Sequence, residues 1–144
     1  MVTDEFLPVL ADQGLLVDRI GLMGWSMGGY GSLLLASQLG PDRVAAVAAA
    51  SPAMWVDGVH SPDGAFDDAD DFATYDLMGR QSRLDGIPVR VDCGTGDGFV
   101  PVVRSYVEGF TTRPAGGFEP GGHNDDYWRR IAPDQLAFFA EHLA

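Results

Sequence analysis

A serine flanked by glycines, Gly24-Trp25-Ser26-Met27-Gly28, sits where the chain changes periodicity, and it leaves the surrounding backbone few ways to fold. Before it runs Ile20-Gly21-Leu22-Met23, an apolar stretch of strand length; after it, Tyr30 to Leu39 has the length and composition of a helix. A strand that passes into a helix within one turn brings its backbone very close to itself, which suits the glycines at 24 and 28. The same turn strains the serine and exposes its hydroxyl, the arrangement of a nucleophile elbow. The N-terminus of the following helix faces the serine, and its partial positive charge favours a developing oxyanion. Short glycine–serine patterns also arise by chance, so the motif depends on its context.

That context is an alternation of strands and helices. Thr3 is a fair N-cap for a first helix with Phe6, Leu7 and Leu10 on one face and Gly14 at its end, and Pro8 near its start leaves room for a kink. Arg19 to Trp25 reads as a buried strand, and Ser26 to Leu39 as a helix with Met27, Tyr30, Leu34 and Leu35 facing inward. Gly40-Pro41 ends it in the usual order. Val44 to Ala50 is a run of small apolar residues between breakers, as expected of a strand buried on both faces of a parallel sheet. Residues 51–85 differ: Asp63, Asp67, Asp68, Asp70 and Asp71 crowd a stretch with Pro62 and Gly64. This reads as an exposed acidic excursion with a short helix near Phe72 to Met78. The aspartates lack the spacing and closing glutamate of an EF-hand, so no metal site is expected there.

Pro88 to Cys93 alternates apolar and polar residues like a strand. Val100, Val103, Val107 and Phe110 recur at helical spacing, and Gly116 to Phe118 is a candidate last strand. A final helical region begins at Tyr127 to Ile131. Pro133 suits the first turn of a last helix that buries Leu136, Phe139, Ala140 and Leu143. The whole predicts one α/β domain over residues 1–144, with a mostly parallel sheet of about four strands and helices on both faces.

A free serine hydroxyl is a poor nucleophile near neutral pH and needs a base within hydrogen-bond reach; imidazole suits, oriented by a carboxylate. Asp97 closes the turn Gly94-Thr95-Gly96 after the third strand, at the carboxyl edge where sites of open α/β sheets gather. As an isolated turn aspartate it would serve as a cap. Asp92 is the rival acid, but it lies inside the strand and points to a face of the sheet. His123 stands in Pro120-Gly121-Gly122-His123-Asn124-Asp125, where two glycines let the loop approach and project the ring; the alternative is a capping-loop histidine. His60 lies in the excursion and His142 near the end of the last helix. Asp125 and Asp126 suit a helix start.

Together, Gly-Trp-Ser26-Met-Gly-Gly, Gly-Thr-Gly-Asp97 and Gly-Gly-His123-Asn with Tyr127-Trp128 resemble the Putative esterase family of the α/β-hydrolase superfamily, which includes esterase D (S-formylglutathione hydrolase), feruloyl esterase-like proteins and the antigen 85 mycolyltransferases. The resemblance runs from about Asp18 to the C-terminus. It implies an α/β-hydrolase fold, with Ser26 as nucleophile, Asp97 as acid, His123 as base and the Met27 backbone N–H as one oxyanion donor. Members of that family are about twice as long. The part before their elbow supplies the first strands and a loop with the second oxyanion donor. Compared with them the chain is expected to be truncated at its front, with the elbow strand an exposed edge that pairs with a second copy, is covered by a rearranged segment, or belongs to a truncated product that folds poorly. One lost oxyanion donor typically costs about 10² to 10³ in turnover.

The function expected is hydrolysis of an ester or thioester through an acyl-enzyme. The alternatives are a weak or inactive remnant acting as a binding or oligomerisation module, or acyl transfer to another alcohol. Trp25, Met54 and Trp55 are candidate acyl-pocket residues, with ordinary core packing as the other reading. A net charge of −12, with all nine cations arginine, argues against nucleic-acid partners. The single cysteine, Cys93, excludes an intrachain disulfide and reads as a buried, inert thiol. The histidines are too far apart in sequence to suggest a local metal site, and no cofactor is expected. With no run long enough to span a membrane and a first stretch unlike a signal peptide, the sequence suits a cytoplasmic protein.

Overall fold

Four strands pair side by side in the order in which they occur along the chain: β1 (Ile20–Trp25), β2 (Val44–Ala50), β3 (Val89–Gly94) and β4 (Ala115–Glu119), every neighbouring pair parallel. The computed structural model describes residues 2–143. Between the strands run α2 (Met27–Leu39), α3 (Ala69–Tyr75) and α4 (Val100–Glu108); α1 (Leu7–Asp12) precedes β1 and α5 (Asp125–His142) follows β4. A sheet whose consecutive strands are parallel needs a crossover after each strand, and this is the α/β architecture that the alternation of periods predicts.

The strand β2 is buried along its whole length. Val47 and Ala49 face one side, packed with Leu33 and Ala36 of α2, Val91 and Cys93 of β3, and Val103, Tyr106 and Val107 of α4. Ala46 and Ala48 face the other, against Phe138 and Phe139 of α5, while Ala50 meets Tyr127 and Ile131. Helices thus cover both faces, and the small residues of β2 are what lets them approach from either side.

Several local expectations shift. The first helix is not capped at Thr3: a π-helical stretch, Val2–Phe6, leads directly into α1, and Pro8 fits the first turn of α1. Of its apolar residues only Leu7 is buried, and Phe6 is 56% exposed. Gly14 follows the helix at φ 82°, as its place at the end predicts. In α2 the buried stripe is Gly29, Leu33 and Ala36, while Met27 is 67% exposed and Tyr30 and Leu34 are half-buried. The helix is small and apolar nearly all round, so its sequence carries little periodic signal; the tight elbow decides which side faces the sheet.

The excursion over residues 51–85 is not exposed throughout. Its ends dive into the core at Ala53, Met54, Leu77 and Leu84. Its helix starts three residues earlier than expected, because the aspartates build it: Asp68 accepts the Asp71 N–H at 2.8 Å, with Asp70 and Asp71 in the first turn. At the C-terminus there is one helix, not two, and Pro133 lies inside it. Its buried face is Tyr127, Ile131, Gln135, Phe138 and Phe139; Leu136, Ala140 and Leu143 are exposed. Gln135 is drawn inward because it donates to Asp92 at 3.2 Å, which turns the helix by one position from the all-apolar choice.

Candidate functional site

Because the strands are parallel, the residues that follow them lie on one edge of the sheet. Ser26 follows β1, Asp97 follows β3 and His123 follows β4.

At Ser26 the backbone takes φ 54° and ψ −124°, a conformation that L-residues seldom adopt. It is held there by its neighbour strand: Ser26 N–H donates to the Ala50 carbonyl at 2.9 Å, and the Ser26 carbonyl accepts from Ala53 N–H at 3.0 Å. A Cβ on Gly24 would sit 2.3 Å from the carbonyl carbon and oxygen of Gly28. Glycine at 24 is therefore compulsory. Glycine at 28 is not, contrary to the sequence expectation, since a Cβ there would meet nothing within 4 Å. The second crowded position is Gly29, whose Cβ would lie 3.2 Å from the carbonyl oxygens of Ala50 and Gly24. Met27 opens α2, so its N–H has no partner inside the helix and lies beside the serine.

Asp97 is 3% exposed. Its Oδ1 accepts the Phe99 N–H at 2.9 Å, and its N–H closes the turn on the Gly94 carbonyl at 3.0 Å. Its Oδ2 lies 2.8 Å from His123 Nδ1, and His123 Nε2 lies 2.9 Å from Ser26 Oγ. An ionised carboxylate can only accept, so Nδ1 carries the proton and Nε2 is left to accept from the serine hydroxyl. The imidazole sits between the rings of Phe99 and Trp128, at centroid distances of 5.3 and 5.0 Å. Such a set can take a proton from Ser26 and return it.

The rival acid is occupied elsewhere. Asp92 is held by the Arg90 guanidinium through Nε–Oδ2 at 2.8 Å and Nη2–Oδ1 at 3.0 Å, and by Gln135. Burial pushes its carboxyl above the usual carboxylate range despite the arginine. His60 pairs with Asp57 at 2.6 Å on the exposed excursion, and His142 packs edge-on against Phe138. Cys93 is fully buried, and burial pushes its thiol up to about 12, so it stays protonated near neutral pH. Asp125 and Asp126 start α5 as expected, with Asn124 as its cap, accepting the Tyr127 N–H at 3.1 Å.

Of the candidate pocket residues, Trp25 is 51% exposed and stacks on Trp128 at 5.9 Å. Trp55 is half-buried and meets Phe99 at 5.6 Å. It borders a recess of about 400 Å³ between the excursion and the start of α4. Met54 is 2% exposed and packs in the main core, and it also lines that recess beside Trp55. Phe99 and Trp128 flank the imidazole; Trp128 belongs to the Tyr127-Trp128 pair of the family resemblance, whereas Phe99 carries no sequence signal that sets it apart from core aromatics. Among the described residues no three His, Cys, Asp or Glu side chains converge as a metal site, and no helix is long and apolar enough to cross a membrane.

The profile of the family described as Putative esterase matches residues 1–139. Among solved structures, a ferulic acid esterase superposes with a TM-score of 0.73 at 22% identity, covering 94% of this chain and 57% of its own. An S-formylglutathione hydrolase from Agrobacterium tumefaciens gives 0.71 at 23% identity, covering 99% of this chain and 56% of its own. A fluorophosphonate-binding serine hydrolase from Staphylococcus aureus gives 0.68 at 20% identity, with 94% and 62% covered. The chain therefore has the α/β-hydrolase fold and spans little more than half the length of these structures. No curated protein matches it in sequence.

Proposed function

This chain belongs to the Putative esterase family, and we propose that it is a serine hydrolase cleaving a carboxylic ester or thioester through an acyl-enzyme. The observation that carries the reading is the unbroken hydrogen-bond path from Ser26 Oγ through His123 to Asp97, at 2.9 and 2.8 Å. Ser26 Oγ attacks the substrate carbonyl while His123 Nε2 takes its proton. The imidazolium so formed keeps its Nδ1–H on the Asp97 carboxylate, which stabilises it and fixes the tautomer. The Met27 N–H, at the positive end of α2, donates to the oxyanion. His123 then protonates the departing alcohol or thiol. A water molecule, deprotonated by the same nitrogen, releases the acid and restores the serine.

The similar structures are named for ferulic acid esters and S-formylglutathione, an ester and a thioester; the shared class is carried over here, and neither particular molecule. The first test is turnover of p-nitrophenyl acetate by the chain and by Ser26→Ala. A burst followed by turnover, both lost in the variant, supports the reading; equal rates overturn it.

One observation favours a second reading, a binding or oligomerisation module. Among the described residues β1 ends the sheet with β2 as its one neighbour, so the elbow strand is an edge there. Its outer side is the surface proposed to pair with a second copy, and light scattering that finds only folded monomer at all concentrations would exclude this.

A further inference from the structure

The segment after β4 must cross the sheet, because Ser26 follows the strand at one edge and His123 belongs to the loop after the strand at the other. The contacts trace that crossing. Over the end of β3, a Cβ on Gly94 would lie 2.3 Å from the Gly121 carbonyl oxygen, and Gly96 N–H donates to that same oxygen at 2.8 Å. Over the end of β2, Tyr127 packs with Ala50; over the end of β1, Trp128 stacks on Trp25.

Gly121 is gripped from both sides. One side bears on the turn that carries Asp97. On the other, a Cβ would lie 2.2 Å from Cδ2 of Tyr127 and 2.9 Å from its Cγ. A single layer of backbone, without a side chain, thus separates the acid's turn from a tyrosine ring that is 1% exposed. The loop is also tied to that tyrosine's helix: Asn124 N–H donates to the Gly122 carbonyl at 3.1 Å, and Asn124 Oδ1 accepts from Tyr127 N–H at 3.1 Å.

We propose that the ring of Tyr127 is a positioning residue for His123: it wedges Gly121 against the Gly94–Asp97 turn and so sets the separation of the Asp97 carboxylate from the imidazole. This rests on the reading of His123 as the base. Phe99 and Trp128 flank the imidazole itself, and Phe99 N–H also donates to Asp97 Oδ1. The ring carries the contact. The hydroxyl is buried and finds no hydrogen-bond partner among the described protein groups, so phenylalanine keeps every contact the wedge uses.

The test compares Tyr127→Phe, Tyr127→Leu, Gly121→Ala and the double variant Gly121→Ala/Tyr127→Leu. Each is checked for folding by circular dichroism. Two readouts are taken: the low-field proton resonance of the His123 Nδ1–H held by Asp97, and kcat and KM on p-nitrophenyl acetate. Tyr127→Phe should keep both. Folded Tyr127→Leu and Gly121→Ala should lose the resonance and drop kcat roughly 10²-fold with KM little changed, since misplacing a catalytic group by about 1 Å has an effect of that size. The double variant should regain both in part, because the shorter side chain makes room for the new methyl. Retention of the resonance and of kcat in folded Tyr127→Leu overturns the proposal. If that variant fails to fold, the same retention in Gly121→Ala overturns it, and so does their loss in folded Tyr127→Phe. Full turnover in His123→Ala would instead sink the assignment of the base, with the resonance still testing the wedge.

Discussion

Gly24 and Gly28 touch backbone to backbone: a Cβ on Gly24 would stand 2.3 Å from the Gly28 carbonyl, whereas a Cβ on Gly28 would meet nothing within 4 Å. The two glycines of the motif are therefore unequal. Gly24→Ala must push the elbow apart and should cost about 3 kcal/mol or more, the upper range for overpacking. Gly28→Ala adds a good helix former in open space and should stay within about 1 kcal/mol of the parent. Urea unfolding of both variants measures the difference, and equal losses would contradict the elbow geometry.

Asp97→Asn leaves a neutral amide beside His123 Nδ1, which can then donate and favour the wrong tautomer. Turnover should fall by about 10³ to 10⁴ at unchanged fold, as expected when the orienting carboxylate of such a triad is neutralised. Asp92→Asn should leave turnover nearly unchanged, because that carboxylate is committed to Arg90 and Gln135 on the α5 side of the sheet. Steady-state kinetics of the two variants side by side separates the acids.

Asp92 gives a pH prediction. Its carboxyl is raised by burial, so between the ordinary carboxylate value and its raised value the native state binds more protons than the unfolded chain. Its contribution to stability is then full at the acid end of that window and is lost as pH rises through it. The unfolding free energy of Asp92→Asn should lack this fall when both proteins are followed by urea titration from pH 4 upward.

At the alkaline end the same sign holds for more groups. Tyr30 is pushed up to about 12, chiefly by burial, and Cys93 likewise to about 12; burial also raises Tyr106 and Tyr127. Each stays protonated in the fold at a pH where the unfolded chain would lose its proton, so stability falls as pH rises from about 9 or 10. Tyrosinate absorbance should rise for these residues together with the loss of helical circular dichroism; ionisation well before unfolding would contradict their burial.

Much of this was legible in the sequence because it depends on local chemistry. The elbow, the glycine turn before Asp97 and the double glycine before His123 are short patterns with steric causes, and the alternation of periods orders the strands. What was not legible depends on where elements meet. The buried side of α2 is decided by the close approach of Gly29 to β2, in a helix apolar on nearly every side. Gln135 faces inward because Asp92 lies beneath it, forty-three positions earlier in the chain. Phe99 and Trp128 come to flank His123 only once the segment after β4 has crossed the sheet.

The central claim is that Ser26 is a nucleophile activated by His123 and Asp97. The most direct measurement is covalent labelling by a fluorophosphonate probe, with the modified peptide identified by mass spectrometry. The account predicts stoichiometric modification at Ser26, abolished in Ser26→Ala and greatly slowed in His123→Ala and Asp97→Asn. A folded protein that takes up no label, or one labelled at another residue while Ser26 stays free, would contradict it.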